Sequence, residues 1–393
     1  MSEVMPVQNN RSHKTCWLCS DALTEENFTR EHIIPNSIGG RKKADGFICS
    51  TCNSKRGEDW DAVLSEQFLW FSLATGIKRE RGDTPDLSVE TAAGEKLLLR
   101  SDGTMTVAKP TYVEQEKEDG KIQINMQVRT EREAKRMLGG VARKFPSADV
   151  KSAAEKLVVE RSYLDSPLTM SLVFGGPKGG RSMVKTALAL ASECGIEKNQ
   201  CEKAINYLKD ADASPPFGFC YSVDLVRNRP QGQIFHCVAL RGLPERRKLL
   251  AYVEYFNWAR ILIELSDVYD GEDVHRTYAV DPTSGLEVDI QIDFDVDSAF
   301  LNAAIQGDGM PLEKYIEAVN GVLPVVLARS FDRERNRAVI EAVKFAFEKL
   351  GVKPGEACPP EHFQEFSRLV EERLEPFLTA YKQSNLIDRS ASH

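Results

Sequence analysis

Apolar positions recur at two spacings along this chain. Between Trp60 and Leu73, the run WDAVLSEQFLWFSL places Leu64, Phe68 and Phe71 on one face of a helix. GIKRERGDTP breaks that pattern and sets a boundary near Gly82–Pro85. Residues 86–128 read as short strands with turns at AAGE, SDGT and EDGK. A helical pattern covers 130–160, interrupted at Gly139–Gly140 and at Pro146. LTMSLVF reads as a strand ending at Phe174, GGPKGG as a turn, and RSMVKTALALASECG as a helix closed by Gly195, with another helix through Leu208. Strand-like runs follow: GFCYSVDLV, GQIFHCVAL, KLLAYVEYF, HRTYAV and the alternating LEVDIQIDFDVD. The aromatic stretch YVEYFNWARILIELSDVY reads as core. From Asp297 the chain is mainly helical, through RERNRAVIEAVKFAFEKLG and EHFQEFSRLVEERLEPFLTAY. Residues 1–15 are polar and expected to be loose, and KQSNLIDRSASH is expected to fray. Strands and helices are segregated, which predicts an α+β fold.

Composition narrows the function classes. With 42% hydrophobic and 28% charged residues the chain is of ordinary globular make-up, long enough for two or three domains. No run approaches the roughly 20 apolar residues a membrane span needs. MSEVMPVQNNRSHK has no apolar stretch behind its charges, so a secretory signal is not expected and the expected location is cytoplasmic. Nine cysteines, an odd number, argue against a disulfide framework. Cys194, Cys201, Cys220, Cys237 and Cys358 sit among apolar neighbours and read as small buried residues. A net charge of -8 excludes a generally basic surface that coats nucleic acid, so any phosphate-binding groove has to be concentrated.

The remaining cysteines frame the densest chemistry, CWLCSDALTEENFTREHIIPNSIGGRKKADGFICSTCNSKRG from Cys16 to Gly57. Cys16-x-x-Cys19 and Cys49-x-x-Cys52 form two thiolate pairs, each on a tight turn. Together they make a closed tetrahedral zinc site, structural because four sulfurs leave no open position. Such a site supplies folding energy that a segment of this length lacks.

Between the knuckles stand Glu31-His32-Ile33-Ile34-Pro35 and Gly39-Gly40, and Asn53 follows the second knuckle. These residues resemble the HNH endonuclease family of ββα-metal fold, whose pattern runs from an acid-His pair through a Gly-Gly turn to C-x-x-C-[HN] at a helix start. The resemblance implies His32 as general base and Glu31 and Asn53 as ligands of a catalytic Mg²⁺ or Mn²⁺, with Zn²⁺ as the structural ion. Two positions depart from the pattern. Glu31 stands where the family usually has Asp. Where the family has the middle Asn that orients the histidine, this chain has Ala44-Asp45-Gly46, leaving Asp45 or a backbone carbonyl as the substitute.

The chemistry fits the residue types. Hydrolysis of a phosphodiester needs an activated water and neutralised charge on the phosphate. A neutral imidazole suits the proton transfer, and hard oxygen donors suit Mg²⁺ or Mn²⁺. Cations lie nearby at Arg41, Lys42, Lys43, Lys55 and Arg56, then at Lys78, Arg79 and Arg81, placed for phosphate contacts. Asp61 suits a helix N-terminus, with support of the metal site as the alternative.

Other motifs carry weaker signals. Gly175-x4-Gly180-Arg181-Ser182 resembles a phosphate-binding loop but has Arg where the P-loop needs Lys, so a phosphate site at Gly180, Arg181 and Ser182 stays open while NTP hydrolysis is disfavoured. Asp289, Asp293, Asp295 and Asp297 alternate with Ile290, Ile292, Phe294 and Val296, as on a strand with one wet face. His236 and His275 read as structural.

The expected organisation is an HNH module over 1–83 and an α+β recognition or regulatory region over 84–393. The expected reaction is hydrolysis of DNA, in a bacterial defence or selfish-element setting that the resemblance implies. One such site cuts one strand, so a homodimer is expected. The alternatives are a zinc-ribbon module that binds nucleic acid without cutting, and a nuclease whose C-terminal region answers to a nucleotide or a protein trigger.

Overall fold

The computed structural model describes residues 15–118, 120, 122–155, 162–353 and 355–390. The loose segment expected before residue 15, part of the helical stretch at 156–161 and the last three residues of the expected frayed end lie outside the described residues.

A hairpin comes first. Strands β1 (Phe28–His32) and β2 (Lys43–Cys49) pair antiparallel, with Arg30 opposite Asp45, Glu31 opposite Ala44 and His32 opposite Lys43. Helices α1 (Ser50–Arg56), α2 (Ala62–Gln67) and α3 (Leu69–Thr75) follow, with a π-helical turn at Gly57–Asp61. Next come β3 (Leu87–Thr91), β4 (Lys96–Leu99), β5 (Met105–Val107), β6 (Thr111–Glu116), β7 (Ile122–Gln127), α4 (Glu131–Lys144), α5 (Val150–Glu155) and β8 (Leu168–Thr169). The chain continues through α6 (Gly176–Glu193), α7 (Glu202–Lys209), β9 (Phe217–Phe219), β10 (His236–Leu243), β11 (Lys248–Tyr255), β12 (Ala259–Ser266), β13 (Val274–Val280), α8 (Ser298–Ala303), α9 (Leu312–Leu350) and α10 (Phe363–Ser390). The architecture is α+β, and no helix among the described residues is long and apolar enough to cross a membrane.

Packing divides the chain into two compact units, and not along the linear division at residue 83. One unit joins 1–84 to 172–328; the other joins 85–171 to 329–393. The hairpin therefore shares its core with residues far downstream. The second unit holds a sheet of order β5-β4-β3-β8, the hairpin β6–β7, and stacked rings of Phe331, Phe377 and Tyr381.

In the first unit five antiparallel strands run in the order β13-β10-β11-β12-β9. Strand periodicity splits them cleanly into two faces. Val238, Leu240, Ala251, Val253, Ile261 and Ile263 face one core, which they share with α6 and the hairpin residues Ile33, Ile34 and Phe47. Cys237, Ala239, Leu250, Tyr252 and Leu262 face a second core. Helix α6 is buried on every side from Gly179 to Ala191, the signature of a central helix.

Several expectations need correction. The GGPKGG run does not end in a turn; α6 begins at Gly176, with Pro177 in its first turn, where a missing N–H costs nothing. Gly180 lies inside the helix because a Cβ there would sit 2.4 Å from the Phe217 ring. Gly139–Gly140 do not interrupt α4, since a glycine costs only about 1 kcal/mol in a helix and burial of Ala134, Leu138 and Val141 offsets it. LEVDIQIDFDVD pairs through isolated bridges, Val226 with Ile292 and Val280 with Glu287, and drops Ile290, Ile292, Phe294 and Val296 into the second core. Asp293 bonds Arg227, and Asp297 caps α8 by accepting from the Phe300 N–H. The aromatic stretch hides a strand, β12, whose ARILIELS sequence matches the buried alternation of its neighbours. Of the two expected strands LTMSLVF and GFCYSVDLV, the first pairs at Leu168–Thr169 and the second through β9, Phe217–Phe219, and the single bridge at Val226, and α10 continues through Ser390.

His236 is structural, as the sequence suggests. Its Nε2 lies 2.7 Å from the Ile38 carbonyl and its Nδ1 accepts from the Phe256 N–H at 2.9 Å, so the ring is neutral with its proton on Nε2. Burial pulls its pKa from 6.5 down to about 4. The unfolded chain thus takes a proton near pH 6.5 that the folded chain refuses until about 4. Stability from this group is present above pH 6.5 and lost as pH falls through that window, by about 3 kcal/mol in all. Urea midpoints measured from pH 7.5 to 4 should therefore fall more steeply for the wild type than for His236→Gln.

Candidate active site

Two turns bring the cysteines together. The first folds over Cys16–Ser20, where the Ser20 N–H donates to the Cys16 carbonyl at 2.9 Å and Ser20 takes a positive φ of 68°. The second is the start of α1, where Cys49 is the N-cap and its Sγ accepts from the Cys52 N–H at 3.5 Å. All four sulfurs, of Cys16, Cys19, Cys49 and Cys52, lie within 4.8 Å of one another, and the Cys19–Cys49 pair is 3.7 Å apart. Zn–S bonds of about 2.3 Å in a tetrahedron put sulfurs about 3.8 Å apart, so the donor set and its size fit Zn²⁺. Burial pushes the Cys16 thiol up, but the N–H groups of Cys19, Cys49 and Leu18 more than reverse it and bring it to about 7. Burial and the neighbouring sulfurs push Cys19 up to about 11 and Cys52 up as well, so Cys16 ionises first of these three thiols.

The hairpin closes on its Gly-Gly pair. Gly39 has φ 103° and packs on Pro282, whose carbonyl a Cβ would meet at 2.5 Å; at Gly40 a Cβ would meet the Ile34 carbonyl at 1.8 Å. No other residue type fits either position.

Strand β1 then sends consecutive side chains to opposite sides. Glu31 turns inward and is buried. Its Oε1 accepts from the Lys185 ammonium on α6, which also donates to Asp61 Oδ2; Ser182 Oγ donates to Asp61 Oδ1 at 2.5 Å. Burial alone would push the Lys185 pKa down, but the Asp61 and Glu31 carboxylates more than reverse it, so the ammonium stays charged. The second Glu31 oxygen has no partner among the described residues.

His32 turns to the other side, where it is half-buried. Its Nε2 is 3.1 Å from Glu80 Oε1. The other Glu80 oxygen accepts from Lys43 Nζ at 2.8 Å, and hydrogen bonds from Lys43 and His32 hold the Glu80 carboxyl down at about 2. Asn53 sits in the first turn of α1, where its backbone carbonyl accepts from the Gly57 N–H; its carboxamide has no partner among the described residues. No hydrogen bond joins Glu31, His32 and Asn53 to one another. Instead, Glu31 and His32 are each fixed by a residue outside the motif.

The order of knuckle, acid-His strand, glycine turn, knuckle and helix is now seen in three dimensions. Residues 16–69 match the HNH endonuclease family. The resemblance read from the motif holds over those residues, and at the level of the family the HNH module is that of a nuclease. No curated protein and no solved structure matches the chain.

Beside the HNH module, the expected cation cluster is partly consumed. Lys43 pairs with Glu80, Arg41 donates to the Lys78 carbonyl at 2.9 Å, Lys42 lies 5.5 Å from the Tyr278 ring, and Arg56 stacks on Trp60 at 4.3 Å. Lys55 is exposed. The phosphate site expected at Gly180, Arg181 and Ser182 is not formed. Arg181 spends its donors on the carbonyls of Pro177, Asp210 and Ala211 and lies over the Tyr207 ring, while Ser182 is held by Asp61.

Asp45 does not reach His32; it pairs with Arg30 at 2.9 Å on the exposed side. Sequence reasoning missed Glu80, which follows the matched region, and Lys185, whose signal was a lone cation inside the apolar run SMVKTALALA.

Two outcomes follow. Cys49→Ser should lose the zinc, measured as bound metal per chain, and lower the Tm by about 10 °C or more, because several kcal/mol of binding energy is lost and each is worth roughly 2–4 °C at this size. Lys185→Met leaves the buried Glu31 and the half-buried Asp61 carboxylates without their cation and should cost about 3–5 kcal/mol in urea unfolding, part of which Lys185→Met with Glu31→Gln recovers.

Proposed function

We propose that this protein is a metal-dependent endonuclease that hydrolyses DNA phosphodiester bonds, with His32 as general base. The observation that carries this is the HNH match over a motif whose histidine presents an Nδ1 with no partner among the described residues, on a hairpin strand that the four clustered cysteines bracket in the sequence. His32 takes a proton from water, the water oxygen attacks phosphorus, and the bond to the 3′ oxygen breaks, that oxygen taking a proton from solvent, which leaves a 5′-phosphate and a 3′-hydroxyl. The free oxygen of Glu31 and the carboxamide of Asn53 are the hard donors that would hold Mg²⁺ or Mn²⁺, as the donor chemistry supports. When bound, such an ion supplies charge neutralisation at the phosphate and the departing oxygen. The exposed Lys55, Lys78 and Arg81 and the half-buried Arg79, whose pKa burial lowers, are the cations left to meet flanking phosphates. A bacterial defence or selfish-element setting, a homodimer and a nucleotide or protein trigger belong to the same proposal on the strength of the resemblance.

One observation favours the binding-only alternative. Lys185 already supplies a cation to Glu31, as it would in a module that grips nucleic acid without cutting it.

Purified protein with Mg²⁺ or Mn²⁺ should nick supercoiled plasmid. His32→Ala should abolish nicking, by at least about a hundredfold, while keeping its zinc. Retardation of DNA with no cleavage under any metal would replace the enzyme by the binding module.

A further inference from the structure

We propose that Glu80 is the positioning residue of His32, filling the role for which the HNH pattern uses its middle asparagine. The inference rests on the reading of His32 as the base and goes beyond the matched region, which ends at residue 69.

The positions where the pattern would put that asparagine are committed elsewhere. Ala44 is buried opposite Glu31 in the hairpin, and Asp45 is exposed and paired with Arg30. Glu80 instead arrives from the loop after α3 and sets Oε1 3.1 Å from His32 Nε2. It is not a loose surface carboxylate. Lys43, the cross-strand neighbour of His32, holds Oε2 at 2.8 Å. The Glu80 N–H donates to Asn36 Oδ1 at 2.8 Å, and Asn36 Nδ2 donates to the Gly40 carbonyl at 3.1 Å. Residues of the EHIIPNSIGG motif thus fix the Glu80 backbone, and Glu80 returns to fix the motif's histidine.

The chemistry of that bond is one-directional. A carboxylate only accepts, so in the neutral ring the proton sits on Nε2 and Nδ1 keeps its lone pair. Nδ1 has no partner among the described residues. Glu80 therefore selects the tautomer that can take a proton, fixes the ring plane, and stabilises the imidazolium formed once the proton arrives.

The test reads the tautomer directly and does not depend on cleavage. ¹⁵N-histidine labelling of the full zinc-loaded chain, with the His32 resonances assigned by their loss in His32→Ala, should show Nε2 protonated and Nδ1 bare. Glu80→Ala should move the His32 resonances toward a mixture of tautomers and lower kcat for nicking about 10- to 100-fold, with KM within about threefold. Glu80→Gln, which keeps an acceptor oxygen, should retain the wild-type tautomer and more of the rate. A proton found on Nδ1 in the wild type overturns the assignment. So does a Glu80→Ala variant whose His32 resonances do not move, or, where the wild type nicks and His32→Ala does not, one whose kcat is unchanged. If His32→Ala still nicks plasmid, the base assignment falls instead, while the tautomer result stands on its own.

Discussion

A lysine ammonium inside a hydrophobic helix is tolerable only where opposite charge meets it, because stripping water from an isolated ion costs far more than a domain's whole stability. Lys185 meets that condition with Glu31 and Asp61. The three residues lie on the hairpin, on the turn between α1 and α2, and on α6. The requirement that they meet fixes how the zinc-stapled hairpin sits on α6. Less costly contacts align with it: His236 grips the Ile38 carbonyl from the sheet, and Gly39 lies flat on Pro282. Displacing the hairpin would break all of these together, so the small module is held as part of the larger core.

Strand periodicity turns that anchorage into a division of labour. Glu31 and His32 are adjacent, yet one is tied to the scaffold and the other to a carboxylate near solvent. The zinc site fixes the other end of the same hairpin through Cys49, the last residue of β2. The imidazole therefore projects from a strand restrained at its inner face and at both ends, the kind of support a reacting group needs to keep its geometry.

Much of this was legible in the sequence, and the failures have physical causes. The cysteine knuckles and the Gly-Gly turn are local patterns: the four sulfurs meet and the glycines close the hairpin, while Glu31 and His32 leave β1 on opposite sides with different partners. The alternating burial of β10 and β11 is equally local. What the sequence hid are pairings across long separations. Nothing near Glu80 or Lys185 announces a partner 48 or 154 residues away. The glycines of α6 misled because glycine marks both turns and close packing; at Gly180 the Phe217 ring decides for packing. Asp289–Asp297 read as a wet strand face, and the apolar half of that pattern is borne out by burial in the second core, without a full ladder of strand pairing.

The split of the first unit gives the protein a schedule. On a ribosome adding roughly 5–20 residues per second, Lys185 is made roughly 8–30 seconds after Glu31. During that interval the hairpin has no α6 to lie on and no sheet to carry His236. The four cysteines are complete by residue 52, well before α6 is made. A metal held by these cysteines would therefore be able to staple the hairpin early in the life of the chain, before the helix that receives it has been synthesised.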